Sequence, residues 1–284
     1  MNRAHNDKHY NAKVAVVTGA GSGLGRSLAQ QLGHAGATLA LCDVDPGGLE
    51  ETARLCRAAG IDPLCAVVDV TDRAALTRFA DQVQARFTHV DYLINNAGVG
   101  FVGTFEASDL SDVERVMNVD FWGVLNTTKA FLPLIVAAEH GHIVNISSIL
   151  GLFALPSQGA YTAAKFAVRG FTEALRQEMI AGGHPVVVSC VHPGFVRTEI
   201  ARRATAANGH VDARAVELVD RYAMTSADTA ARTILRGARY GRAKILVGPD
   251  AYLADLATRI LGSWYQRPLA HGFARLFPGW FARP

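Results

Sequence analysis

Seven short apolar runs recur along the chain, and a helical pattern separates nearly every pair of them. The runs are Val14 to Thr18, Ala37 to Asp43, Leu64 to Asp69, Val90 to Asn95, His142 to Ser148, Pro185 to Val191 and Ala243 to Val247. Between them lie helical stretches at 24–35, 48–59, 73–86, 111–138, 158–180 and 226–240. The runs are apolar at consecutive positions, as in Val14-Ala15-Val16-Val17 and Val186-Val187-Val188. Strands apolar on both faces belong to a parallel sheet covered by helices on both sides. The expected fold class is therefore α/β, a doubly wound seven-stranded parallel sheet in a single domain.

No internal repeat or linker divides the sequence. The expected organisation is a flexible tail at 1–12, a domain at 13–248 with a substrate loop near 195–225, and an aromatic and basic extension at 249–284. Half of the residues are apolar, enough for a sizeable core, and the net charge of +3 argues against a nucleic-acid partner. That charge is unevenly spread: +7 from Arg197 onward and −4 before it. The cysteines at 42, 56, 65 and 190 show no metal-ligand spacing, and no metal is expected. Residues 1–13 lack the apolar core of a signal peptide, and no apolar run is long enough to span a bilayer, so a cytoplasmic location is expected.

The first strand runs into Thr18-Gly19-Ala20-Gly21-Ser22-Gly23-Leu24-Gly25. Strand, glycine turn and helix start together make an anion site: glycine lets the backbone approach a pyrophosphate, and the free N–H groups of the helix favour its charge. Gly19, Ser22, Gly23, Leu24 and Gly25 are the candidate phosphate-side residues, and the fold is Rossmann-like. Asp43 ends the second strand. A carboxylate there accepts hydrogen bonds from ribose hydroxyls and repels a 2′-phosphate, which favours NAD over NADP. Arg26, near the same helix start, is the counter-signal and is read as a surface arginine. Asp69, which ends the third strand, is read as an adenine contact or a plain strand-end cap, and Val70 next to it is counted with the cofactor-binding residues.

Tyr161 and Lys165 lie four apart, so a helix sets them on one face. A free tyrosine is a poor base at neutral pH, and a nearby ammonium favours its phenolate and lowers its pKa. Ser148 closes the fifth strand and can polarise a substrate oxygen. A lone Tyr-x-x-x-Lys pair means little; this one follows a strand end in a nucleotide-binding frame.

In these motifs the chain resembles the short-chain dehydrogenase/reductase family over about residues 13–250. The matches are Thr18 to Gly25, Asn95-Asn96-Ala97-Gly98, Ser148 thirteen residues before Tyr161, the Tyr161/Lys165 pair and Pro193-Gly194. The resemblance implies Tyr161 as catalytic acid/base, Ser148 as the group positioning the substrate oxygen, and Lys165 on the nicotinamide ribose, lowering the tyrosine pKa. It places Asn96, Ala97, Gly98, Pro193, Gly194 and Val196 in the cofactor cleft and Thr198 on the carboxamide. One departure stands out. Where the family has Asn three residues before a glycine, this chain has Asp120-Phe121-Trp122-Gly123. Asp120 is counted with the catalytic group: it keeps the backbone carbonyl of the proton relay, and its carboxylate can pair with Lys165, directly or through water. Asn118 is expected to face elsewhere.

The expected reaction interconverts a secondary alcohol and a ketone, on an apolar substrate lined by Gly151 to Pro156 and the 195–225 loop. Small residues at Ala163, Ala167, Gly170 and Ala174 form a stripe, read first as packing against the chain's own sheet. The resemblance implies a homodimer or homotetramer. The extension interleaves Tyr252, Trp264, Tyr265, Phe273, Phe277, Trp280 and Phe281 with Arg259, Arg267, Arg275 and Arg283. Packing of this extension against the protein is preferred over contact with a membrane surface. Two other classes of function stay open: a cofactor-binding sensor or scaffold without turnover, and a membrane-surface adaptor working through the extension.

Overall fold

The seven apolar runs become β1 (Val14–Thr18), β2 (Thr38–Asp43), β3 (Leu64–Val67), β4 (Tyr92–Asn95), β5 (Gly141–Ile146), β6 (Val186–Pro193) and β7 (Lys244–Val247). In this computed structural model the residues described are 8–197, 204–207, 217, 221 and 223–277. The strands form one parallel sheet in the order β3-β2-β1-β4-β5-β6-β7. The order reverses between β1 and β4, the topological switch point at which doubly wound sheets open a ligand crevice. Val196–Arg197 pairs with Thr225–Ser226, and Phe101–Val102 with Thr205–Ala206, outside the main sheet.

The helices are α1 (Gly23–His34), α2 (Pro46–Ala58), α3 (Arg73–Arg86), α4 (Leu110–Met117), α5 (Gly123–Val136), α6 (Gly159–Ala181), α7 (Ala227–Arg239), α8 (Pro249–Leu261) and α9 (Gln266–Leu276). Helices α1, α2 and α7 cover one face of the sheet, where Leu28, Leu32, Leu49, Ile234 and Leu235 meet Val17, Leu39 and Leu41. Helices α3, α5 and α6 cover the other, where Phe79, Phe131, Leu175 and Met179 meet Val16, Leu93 and Val188. Phe79 and Phe131 meet edge to face at 5.5 Å; truncating either fully buried ring to alanine would cost about 3–5 kcal/mol. Asp45, Asp72 and Ser226 cap α2, α3 and α7 through backbone N–H groups, each cap contributing about 1 kcal/mol.

Three expectations change. The single helix expected over 111–138 is two helices joined by a π-helical turn, Asn118–Trp122. Such a turn inserts one residue into the helical period; here Asp120 lies buried and Asn118 exposed. The small-residue stripe does not pack on the sheet: Ala163, Gly170 and Ala174 are exposed, while Ala164, Val168, Thr172, Leu175 and Met179 are buried on the opposite face. Finally, residues 8–12, read as part of a loose tail, are held by Tyr10, which is buried and donates from its hydroxyl to Leu235 O at 2.6 Å.

Candidate active site

A cleft of about 380 Å³ opens at the C-terminal ends of the strands around the switch point. It is lined by Gly19, Ser22, Gly23, Leu24 and Gly25 of the turn, by Asp43, Asp69 and Val70, and by Asn96, Ala97 and Gly98. Ser148, Tyr161, Lys165, Pro193, Gly194 and Val196 complete the expected set. Asp120 lies behind Lys165 instead of on the cleft wall. Thr198 lies outside the described residues, as do Ile200, Arg202, Arg203, Arg214 and Tyr222 of the expected substrate loop.

The turn needs its glycines. Gly19 has φ +64°, and a Cβ there would sit 2.8 Å from Ala97 Cα; a Cβ on Gly25 would lie 2.0 Å from Gly19 O. The Asn96 side chain donates to Thr18 O and Gly19 O, both at 3.0 Å, and so braces the turn from beneath. Asp43 accepts from Gly21 N at 2.7 Å and from Asp45 N at 2.9 Å. Arg26 is not a free surface side chain: its guanidinium donates to Gly21 O, to Thr52 Oγ1 at 2.9 Å and to Gly48 O at 3.3 Å. It is a tie between the turn and α2. A bare-backbone turn at a helix N-terminus, with a carboxylate at the end of β2 facing the same cleft, fits a dinucleotide with a free ribose.

Deeper in the cleft, α6 presents Tyr161 and Lys165 on one face, with the ammonium 5.3 Å from the centre of the tyrosine ring. Lys165 Nζ donates to Ile146 O at 3.3 Å and pairs directly with Asp120 Oδ2 at 3.0 Å. The other oxygen of Asp120 accepts from Val99 N at 2.7 Å. Both charged side chains are almost wholly out of water. Burial works to lower the lysine pKa, but the Asp120 carboxylate, and then Tyr161, outweigh it and hold Lys165 above its usual value. Burial pushes the Asp120 carboxyl up against the pull of Lys165 and Val99 N–H. Tyr161 departs from expectation. Burial raises its pKa, Asp120 adds to the rise, and the opposing pull of Lys165 and the Ser148 hydrogen bond does not reverse it. Ser148 also accepts from Leu150 N at 3.1 Å, and Ser147 Oγ donates to Lys165 O at 2.8 Å, joining the end of β5 to α6.

Some contributors were not anticipated. His192 Nδ1–H donates to Ser148 O at 2.9 Å, and burial lowers its pKa to about 4. Asp250, in the first turn of α8, accepts from Phe195 N at 2.6 Å and so ties the extension to the Pro193-Gly194 loop. Tyr265 accepts from Ala154 N at 3.2 Å and meets Phe153 edge to face. An acid at a helix start was the only sequence signal for Asp250, nothing local marked His192, and Tyr265 stood out only as one of the aromatic residues of the extension.

Comparison with known proteins gives concordant results. The family model for short chain dehydrogenases matches residues 13–209. SadH of Mycobacterium tuberculosis, which carries the name of an oxidoreductase, is 51% identical over 270 residues, covering 95% of this chain and 98% of that protein. Estradiol 17-beta-dehydrogenase 11 of Mus musculus is 36% identical over 187 residues, covering 66% of this chain and 63% of its own. A crystal structure of a short chain dehydrogenase/reductase from Burkholderia phymatum in complex with NAD superposes with a TM-score of 0.82 at 32% identity, covering 90% of this chain and 96% of that one.

Proposed function

Because the chain belongs to the short-chain dehydrogenase/reductase family, we propose that it interconverts a secondary alcohol and a ketone, using NAD in preference to NADP, on an apolar substrate. The observation that carries this reading is the convergence of Ser148, Tyr161 and Lys165 on one cleft, with Asp120 paired behind the lysine. When bound, the nicotinamide cofactor supplies the hydride donor or acceptor. The glycine turn would hold its pyrophosphate and Asp43 its adenosine ribose.

The chain's own groups handle the proton. In the reductive direction the Tyr161 hydroxyl gives its proton to the substrate oxygen while Ser148 Oγ donates a hydrogen bond to the same oxygen. The raised tyrosine pKa keeps the phenol protonated for this step. In the oxidative direction the phenolate is the base, and the Lys165 ammonium beside the ring favours it. Asp120 acts through Lys165 as a positioning residue: it keeps the ammonium charged and fixed.

NAD preference is supported by the Asp43 carboxylate on the cleft and by the engagement of Arg26 with Gly21 and Thr52, which leaves it committed to the fold. An apolar substrate is supported by Leu152, Phe153 and Leu155 between Ser148 and Tyr161, and by the steroid in the name of one relative. A homodimer or homotetramer is supported by the outward-facing stripe on α6, with Phe166 and Trp122 also exposed.

The test is nicotinamide absorbance during turnover of a panel of apolar secondary alcohols and ketones, with NAD(H) and NADP(H) in parallel. Turnover is expected with NAD(H) at no less than about tenfold higher kcat/KM than with NADP(H), and Asp43→Ala should narrow that ratio. Failure of both cofactors to bind would overturn the reading of the turn, and preference for NADP would overturn the role of Asp43.

A further inference from the structure

We infer that α8 and the turn that follows it form a docking surface for an anionic lipid bilayer, placed at the mouth of the cleft. An amphipathic helix on a globular protein ordinarily turns its large apolar side chains inward. Helix α8 does the reverse. Tyr252, Leu253, Leu256 and Ile260 recur at helical spacing on one side and are 55%, 70%, 56% and 72% exposed. Trp264, just past the helix, is 85% exposed. The side turned toward the protein carries Ala251, Ala254, Asp255, Ala257 and Thr258. No residue of α9 is buried.

Charge selects the occupant. From residue 256 to the end the sequence holds four arginines and no Asp or Glu. Of the two acids on α8, Asp250 holds the Phe195 backbone and Asp255 is engaged by Lys244 and Arg259. Arg267 and Arg275 are exposed, and no acidic partner faces them among the described residues. A second copy seated on this face would set like charges against each other; an anionic headgroup layer neutralises them. Exposed Trp and Tyr beside Leu and Ile, with arginine at the rim, is the composition that seats a helix in the interfacial plane. Among the described residues no helix is long and apolar enough to cross a membrane.

The position gives the surface a use. Asp250 binds the Phe195 backbone and Tyr265 binds the Ala154 backbone, so the extension touches both segments that flank the reacting side of the cleft. Docking through α8 would bring that opening to the lipid surface, where an apolar substrate is dissolved. The docking itself stands apart from the reading of the cleft and is measured without turnover.

The experiment is flotation of the full chain with vesicles of phosphatidylcholine alone and of phosphatidylcholine mixed with phosphatidylglycerol. The chain is expected to float with the anionic vesicles, weakly or not at all with the neutral ones, and less at high salt. Leu256→Glu/Ile260→Glu should keep the unfolding midpoint, because both positions are exposed, and lose about tenfold or more of the vesicle affinity. Arg267→Glu/Arg275→Glu should weaken binding to anionic vesicles to a similar degree. Equal flotation of parent and variants would overturn the proposal, as would a parent chain that floats with neither vesicle. A parent that ignores vesicles but forms a dimer that the Leu256→Glu/Ile260→Glu variant dissolves would assign the face to a second copy instead.

Discussion

Two lysine–aspartate pairs sit at opposite ends of the same sheet, and only one of them borders the cleft. At the N-terminal end, Asp91 accepts from Lys13 Nζ at 2.9 Å and from Val14 N at 2.8 Å, with His89 at 3.3 Å. At the C-terminal end, Asp120 pairs with Lys165 at 3.0 Å and accepts from Val99 N at 2.7 Å. Both aspartates are buried, and both hold a backbone N–H. The lysines differ. The Lys13 side chain keeps 30% of its surface in water, Lys165 only 4%. Lys13 stitches the start of β1 to the start of β4. Lys165 stands beside the half-buried Tyr161 on the wall of a cleft. An ion pair is therefore no functional signal by itself; the hydroxyl and the open space next to it make the difference.

The comparison is broken most sharply by removing each lysine. Lys165→Met would strand a buried carboxylate, and a loss of about 3–5 kcal/mol in denaturant stability is expected along with loss of turnover. Lys13→Met leaves the buried Asp91 its Val14 N–H donor and His89 beside it, so a smaller loss than for Lys165→Met is expected, with turnover unchanged. Similar losses from the two would erase the distinction.

A buried histidine near each end gives a second handle. Burial holds His142 at a pKa of about 3 and His192 at about 4, against about 6.5 unfolded. Each stays neutral in the fold while the unfolded chain takes up a proton. The stability they contribute is full above pH 6.5 and is lost as pH falls through the window down to about 4 for His192 and about 3 for His142. Within that window each costs up to about 1.4 kcal/mol per pH unit. Denaturant midpoints measured from pH 7 to pH 5 should fall, and His142→Gln and His192→Gln should each flatten the slope. Only His192→Gln should also change turnover, because its Nδ1–H holds the Ser148 carbonyl.

The smallest effect is a shift of profile. The Asp120 carboxylate raises the tyrosine pKa, so removing its charge favours the phenolate. In Asp120→Asn the alkaline rise of the oxidation rate should therefore move to lower pH. A profile identical to the parent's would mean that the carboxylate does not act on Tyr161.

The fold was legible because parallel strands buried on both faces leave continuous apolar runs that need no partner to be seen. The cleft residues were legible where spacing along the chain stands for spacing in space, as in the glycine turn and the Tyr161/Lys165 pair. What depended on three dimensions was not. The π-helical turn at Asn118–Trp122 adds a residue to a helical pattern without breaking its hydropathy. The direction of the Tyr161 shift depends on burial, which outweighs the lysine. The outward stripe on α6 shows the limit of composition, since small residues fit a sheet or a neighbouring molecule equally well.

The central claim is that Tyr161 exchanges the proton that accompanies hydride transfer. The direct measurement is hydride transfer in the wild-type chain and in Tyr161→Phe, with cofactor affinity and unfolding midpoint recorded for both. The account predicts unchanged cofactor binding and stability, and a fall in hydride transfer of about 10²- to 10⁴-fold. A variant that binds cofactor and transfers hydride at close to the wild-type rate would contradict it.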